Sequence, residues 1–282
     1  MVDDEQIDGL RVAPGKKVRL SRRSTDDTFS LPGKRETRAA IDEGTATLGA
    51  LQYRLWAERR RSVLLILQGM DASGKDGAVR RVFSGLNPAG VRVTAFSEPE
   101  GHELAHDYLW RVHAACPPRG YIGVFNRSHY EDLVTAPLVG AVTKAEADRR
   151  VEDVVAFERM LMAEGTTLIK CFFHVSRDEQ RKRLRERIVD PDKAWKFAAS
   201  DVEARARWDE YRARYENVMA ATSTPEAPWF VIPADHKWVR DAVLLTLTTR
   251  TLERLDPQPP APSADLARLR ELVEVVNLDP NG

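Results

Sequence analysis

Residues Val63 to Gly77 read VLLILQGMDASGKDG, and the reading of this stretch orders the rest of the chain. Val63 to Leu67 is β-branched and leucine-rich with no polar face, the pattern of a strand buried on both sides. Gly69, Gly74 and Lys75 follow at the spacing G-x-x-x-x-G-K, and GAVRRVFSGL continues with apolar residues at helical intervals. Strand, glycine loop and helix in that order make a phosphate-binding loop (P-loop). Glycines let successive N–H groups face an anion, and the helix adds its positive N-terminal end. Lys75 reaches the outer phosphates as a mobile point charge. Gly69, Ala72, Ser73, Gly74 and Asp76 are the loop positions expected to lie against phosphate.

Two of the loop residues depart from the usual nucleotide-binding version. Asp76 stands where a Ser or Thr hydroxyl normally ligates magnesium. Asp71 places a second carboxylate inside the loop. Negative charge beside bound phosphate repels unless a metal ion lies between, so Asp71 is expected to bind a metal or to position an attacking phosphate oxygen.

At 282 residues the chain suits one large α/β domain or two small ones. Lys plus Arg and Asp plus Glu number 43 each, so the net charge is zero and the whole-protein field calls for neither nucleic acid nor membrane. Any polyanion site is then a local patch. Cys116 and Cys171 form no C-x-x-C pair and fit no zinc spacing. The N-terminus MVDDEQIDGL is acidic and polar rather than a signal peptide, and no apolar run approaches the length of a bilayer span. A soluble, cytoplasmic protein is expected.

Residues 1–33 read as a basic N-terminal arm, because RVAPGKKVRLSRR (11–23) holds six basic residues and no acid. Such a segment is usually solvated. A main domain over 34–255 opens with a long helix, Lys34 to Arg61. Val91 to Phe96 reads as a strand and Gly101 to Cys116 as a helix. Three histidines in that helix lack an accompanying carboxylate ligand set, so no zinc site is expected there. Tyr121 to Phe125 is a further strand, and Asn126, Arg127, Ser128 and Glu131 crowd its C-terminal end. In open α/β sheets ligands sit at that edge, so these residues are expected to face the same phosphates as Lys75. Thr143 and Ser176 open helices with capping boxes closed by Glu146 and Glu179. Between those helices, Thr166 to Val175 is a buried strand. In SRDEQRKRLRERIVDP, Arg183 and Arg187 share one helix face. Ser200 and Glu203 open another helix, reaching about Ala221. Pro228 to Pro233 is a strand, His236 to Leu255 a helix, and 256–282 a tail with a short helix.

Four motifs together resemble the polyphosphate kinase 2 family, enzymes that transfer phosphoryl groups between inorganic polyphosphate and nucleotides. They are GMDASGKDG (69–77), FNRSHYED (125–132), EQRKRLRERIVDPDKAWKF (179–197) and TSTPEAPWFVIPADHKW (222–238). The resemblance implies a three-layer α/β/α P-loop kinase fold with a central parallel sheet and a helical lid over about 176–200. It implies dependence on magnesium, with manganese as the alternative, and polyphosphate, AMP and ADP as substrates. Asp71, Lys75 and Arg127 are implied as catalytic, and Arg183, Arg187 and Lys193 as lid residues on polyphosphate. Asn126, Ser128, Glu131 and Arg111 are assigned to the nucleotide, and Asp71 with Glu131 to the metal. Family members assemble as dimers or tetramers, so a homo-oligomer is expected.

FNRSHYED is similar to the class III branch, whose members accept nucleoside monophosphates as well as diphosphates. Many members carry Asp where this sequence has Asn126, a departure that shifts metal binding toward Asp71. The same loop also fits an ATP-dependent nucleotide or small-molecule kinase, which would need neither the basic arm nor Asp76. A nucleotide-binding switch protein is a third reading, but the chain has no N-K-x-D segment for guanine.

Overall fold

β1 (Ser62–Gln68) is buried along its whole length, as its unbroken apolar sequence requires, and every other strand is placed relative to it. The remaining strands are β2 (Val91–Ala95), β3 (Ile122–Asn126), β4 (Thr166–His174) and β5 (Trp229–Pro233). They lie in the order β2-β3-β1-β4-β5, and all neighbouring pairs are parallel. The structure, a computed structural model, describes residues 1–275 apart from 196, 198, 263 and 264.

Parallel neighbours need crossover connections, and here helices supply them on both faces. Helices Lys34–Glu58, Lys75–Phe83 and Lys237–Leu255 pack on one another in one layer. Glu131–Leu138, Lys144–Ala163 and Trp208–Thr222 form the other. The helix after β1 therefore lies on one face and the helix after β3 on the opposite face, although the two strands are neighbours. Their C-terminal ends frame a crevice at the point where the connections diverge. This is the three-layer α/β/α arrangement expected from the sequence.

Local rules account for most helix boundaries, with three differences. Thr143 Oγ1 and Ser176 Oγ accept from the N–H groups of Glu146 and Glu179, both at 3.1 Å. The return half of each capping box does not form. Glu146 turns instead to Arg150 and Glu179 to Arg183, one helical turn further on, because a charged pair outcompetes the cap. Gly101 to Cys116 is two short pieces, a 3₁₀ turn at Gly101–Ala105 and a helix at Trp110–Ala115. Asp107 Oδ1 accepts from Leu109 N at 2.9 Å, a local bond that competes with continuous helix. The helix expected to reach Ala221 is split at Arg207 into Ala199–Ala206 and Trp208–Thr222.

The N-terminal segment is not a free arm. Val12 N donates to Trp229 O at 2.8 Å and Val231 N to Leu10 O at 3.0 Å, so residues 10–12 add an antiparallel bridge to the outer edge of β5. Val12, Val18 and Leu20 are buried in the same core as the sheet. The edge strand that would otherwise be unpaired is thereby covered.

A buried polar cluster ties β4 to the turn after β3. Lys170 Nζ lies 2.7 Å from Glu158 Oε2 and 2.7 Å from Thr222 O, and Tyr130 OH donates to Glu158 Oε1 at 2.7 Å. Burial alone would raise the Glu158 carboxyl, but Lys170 beside it holds it below the usual range. Removing one partner strands a buried charge. Lys170→Met should therefore cost about 3–5 kcal/mol in urea unfolding. The double variant Lys170→Met/Glu158→Leu should recover much of that loss, and equal midpoints for the single and double variants would contradict this account.

Candidate active site

The turn from β1 into the helix Lys75–Phe83 is built so that its carbonyls are held from behind. Gln180 Nε2 donates to Asp71 O at 2.9 Å, and Arg183 Nη1 donates to Ala72 O at 3.1 Å and to Ser73 O at 2.9 Å. Arg240 Nη1 also approaches Ser73 O, at 3.4 Å. In a trans peptide the carbonyl of one residue and the N–H of the next point in opposite directions. Anchoring these carbonyls therefore turns the Ala72 and Gly74 N–H groups to the other side, toward the crevice. That is the arrangement an anion needs.

Glycine is required at two places for different reasons. At Gly69, with φ +150°, a Cβ would lie 2.8 Å from Phe173 O and 2.8 Å from Ser73 Oγ. At Gly74, with φ +100°, it would run into the Arg240 guanidinium. Ala72 (φ +60°) and Arg127 (φ +63°) adopt the left-handed region without being glycine, one inside the loop and the other directly after β3. Strain of this kind costs on the order of 1–3 kcal/mol and persists where the surroundings impose it.

Across the crevice, β3 delivers its last residue, Asn126, and the residue after it, Arg127, to the loop. Arg127 Nη2 pairs with Asp71 Oδ1 at 2.8 Å, and Asn126 Nδ2 donates to Asp76 Oδ1 at 2.5 Å. Lys75 Nζ folds back to donate to Gly69 O at 2.7 Å. Burial, together with the nearby Arg127 charge, lowers the Lys75 ammonium to about 8, although Asp71, Glu131 and Asp76 oppose that shift. Burial would lower the Arg127 guanidinium too, but Glu131 and Asp71 hold it above its ordinary value. Glu131 is thus part of the field of the site, while its Oε2 accepts from Thr135 Oγ1 at 2.6 Å. Ser73 Oγ is buried inside the loop and has no hydrogen-bond partner among the described residues.

Several expected ligands occupy other positions. Ser128 does not face the crevice. It is fully buried, accepting from Gln68 Nε2 at 3.1 Å and Tyr130 N at 3.2 Å, so it fixes the turn after β3. Arg111 lies beside β2, where Nη1 donates to Ser97 O at 2.9 Å and pairs with Glu103 at 3.2 Å while the guanidinium sits over Phe96. Arg183 is no free lid cation. Only 5% exposed, it donates to the loop carbonyls, to Ala234 O at 2.6 Å and to Asp235 O at 2.9 Å. Arg187, its expected partner on the helix face, is nearer the surface and lies 3.6 Å from Asp201. The side chain of Lys193 falls outside the described residues.

Sequence reasoning overlooked Gln180, Arg240 and Asp235. Asp235 Oδ1 accepts from Ser176 N at 2.7 Å and Oδ2 from Thr25 Oγ1 at 2.8 Å. It thereby joins the N-terminal segment and the base of the helix Arg177–Val189 to the clamp on the loop. Asp235 follows Pro233-Ala234 in one of the quoted motifs, which was the available signal.

With this geometry in hand, comparison with known proteins is specific. Residues 32–260 match the model of the family described as polyphosphate kinase 2. The chain is 46% identical over 244 residues to the AMP/ADP-polyphosphate phosphotransferase of Meiothermus ruber, spanning 86% of this chain and 91% of that one. It is 39% identical over 256 residues to the ADP-polyphosphate phosphotransferase of Rhodopseudomonas palustris, covering 86% and 89%. The crystal structure of polyphosphate kinase 2 from Arthrobacter aurescens TC1 superposes with a TM-score of 0.89 at 38% identity, over 94% of this chain and 95% of that one. Loop, crevice and lid segment all fall inside the matched span, and the chain belongs to the polyphosphate kinase 2 family.

Proposed function

We propose that this protein transfers phosphoryl groups between inorganic polyphosphate and AMP or ADP, forming ADP and ATP. The observation that carries the reading is the crevice itself. A carbonyl-clamped phosphate loop faces Arg127 across a carboxylate, in a chain that belongs to this family. The ATP-dependent alternative shares the loop but gains no support from the named relatives, which act on polyphosphate.

Phosphoryl transfer asks for positioning and charge stabilisation rather than covalent chemistry. The outward N–H groups of Ala72 and Gly74 hold the transferring region. The Lys75 ammonium, now on Gly69 O, swings to a phosphate oxygen. Arg127 leaves Asp71 for phosphate on the same principle, because a polyanion offers it more negative charge than one carboxylate. That exchange frees Asp71 to orient the acceptor. Arg187, at the surface of the helix Arg177–Val189, is placed to meet the polymer if its pairing with Asp201 opens.

A magnesium ion fits this set as one shared with bound phosphate rather than held by the protein alone. Among the described residues no three His, Cys, Asp or Glu side chains converge as a ready-made metal cage. Magnesium commonly takes one or two carboxylates with waters and substrate phosphates, and Asp71 and Glu131 are the oxygen donors available for it. When bound, such an ion would neutralise charge on the phosphate oxygens.

Lys75→Ala and Asp71→Asn should each lower kcat by about 100-fold or more while the melting temperature stays within about 3 °C. Turnover near wild type in either variant would remove that residue from the site. Because Lys75 loses its charge near pH 8 in the free protein, kcat/KM for polyphosphate should fall as pH rises past about 8. Lys75→Arg, which stays charged, should flatten that fall, and an unchanged profile in this variant would exclude Lys75 as its source.

The acceptor range follows the Meiothermus ruber relative and the class III reading of FNRSHYED. With polyphosphate and magnesium, AMP should yield ADP and then ATP by chromatography. Phosphorylation of ADP alone would refute the class III reading while leaving the family intact.

A further inference from the structure

The basic segment 11–23 has a physical problem that the phosphate loop does not solve. Lys17, Arg19 and Arg22 are exposed and line one groove of about 870 Å³, together with Arg23 and the end of β5 at Val231 and Pro233. Among the described residues none of these three side chains has a carboxylate within ion-pairing distance. Asp27, also on the groove, accepts from Phe29 N at 2.8 Å. A flexible arm would let such cations spread apart. Here the backbone forbids it.

The segment is pinned at close intervals. Leu20 N donates to Glu216 Oε1 at 2.7 Å, and Thr25 is held by Asp235. Arg23 uses its own guanidinium as an anchor, donating to Leu10 O at 2.9 Å and Arg11 O at 2.7 Å. Like charges are thus ordered side by side without counter-charge, an arrangement that an external polyanion relieves.

The groove also leads toward the reaction centre. Arg23 is shared with a second groove of about 320 Å³, whose walls include Arg177, Arg212 and Met70, the residue before Asp71. Arg212 pairs with Asp209 at 3.0 Å, whereas Arg177 is exposed with no ion-pair partner among the described residues. The two grooves thus meet at Arg23, with exposed Arg177 on one side and Lys17, Arg19 and Arg22 on the other.

We propose that Lys17, Arg19 and Arg22 form a docking track for the distal, non-reacting part of the polyphosphate chain, entered from the phosphate loop through the groove between Arg23 and Arg177. The proposal rests on the polyphosphate-dependent function above and adds a binding surface outside the crevice. It accounts for a locally basic surface on a protein of zero net charge. Chains too short to reach from the loop to Arg19 gain nothing from it. Long chains gain several phosphate contacts at once and an increased local concentration of donor at the loop.

The test compares long-chain polyphosphate with tripolyphosphate as donors for wild type and for Lys17→Ala/Arg19→Ala/Arg22→Ala, with the single charge reversal Arg22→Glu as a second variant. Wild type should show a lower KM for long chains. In the triple variant that advantage should shrink about tenfold, and the slope of log Kd for long chains against log salt should fall by about 2 for three lost cations. Arg22→Glu should act in the same direction. An undiminished long-chain advantage in a variant of unchanged melting temperature would overturn the track, as would a wild type indifferent to chain length. If wild type used neither donor, the function itself would fail, a result distinguishable from failure of the track alone. Equal binding of a single-stranded oligonucleotide and long-chain polyphosphate at the same salt would also overturn it.

Discussion

A loop that offers its N–H groups to an anion must dispose of its carbonyl groups, and the rest of this molecule depends on how it does so. Left unpaired next to a buried strand, each carbonyl would cost on the order of 1–3 kcal/mol. Here Gln180, Arg183 and Arg240 take them. The two arginines come from the helices after β4 and after β5, so the phosphate loop is set by elements far away in sequence. Arg240 is itself balanced by Asp241, with Nη2 to Oδ1 at 2.6 Å. Charge buried behind the loop is thereby kept hydrogen-bonded as burial demands.

The front of the loop follows a different logic. Its contacts are made by side chains: Lys75 on a carbonyl, Arg127 on Asp71, Asn126 on Asp76. The strand order makes these contacts possible, because the connections after β1 and β3 leave in opposite directions and keep the space between their ends clear. Backbone carbonyls are held from behind by Gln180, Arg183 and Arg240, while side chains pair with one another in front.

Asp235 links this division to the N-terminal segment. Its carboxylate holds Thr25 and the cap of the helix Arg177–Val189, while its carbonyl accepts from Arg183. The base of the lid segment and the basic edge thus share an anchor with the phosphate loop. Neutral net charge conceals the result, in which basic side chains gather along one side of the C-terminal sheet edge.

The sequence by itself determined what depends on neighbours along the chain. The unbroken run Val63–Leu67 dictates a buried strand, the glycine spacing dictates the loop, and Thr143 and Ser176 mark helix starts, because these patterns reflect backbone geometry within a few residues. The positions of Asp71, Lys75 and Arg127 at the carboxyl edge of the sheet were legible for the same reason, since each follows a strand whose direction was already set. Only the tertiary structure decided which arginines are buried behind the loop and which stay near the surface. Arg183 and Arg187 are chemically alike and one helical turn apart, yet packing against the loop buries the first and leaves the second near the surface. Ser128 was misread because a polar residue at a strand end looks the same whether it turns to the crevice or to Gln68. The N-terminal segment became part of the sheet edge through pairing with β5, more than 200 residues later, a contact that no local pattern encodes.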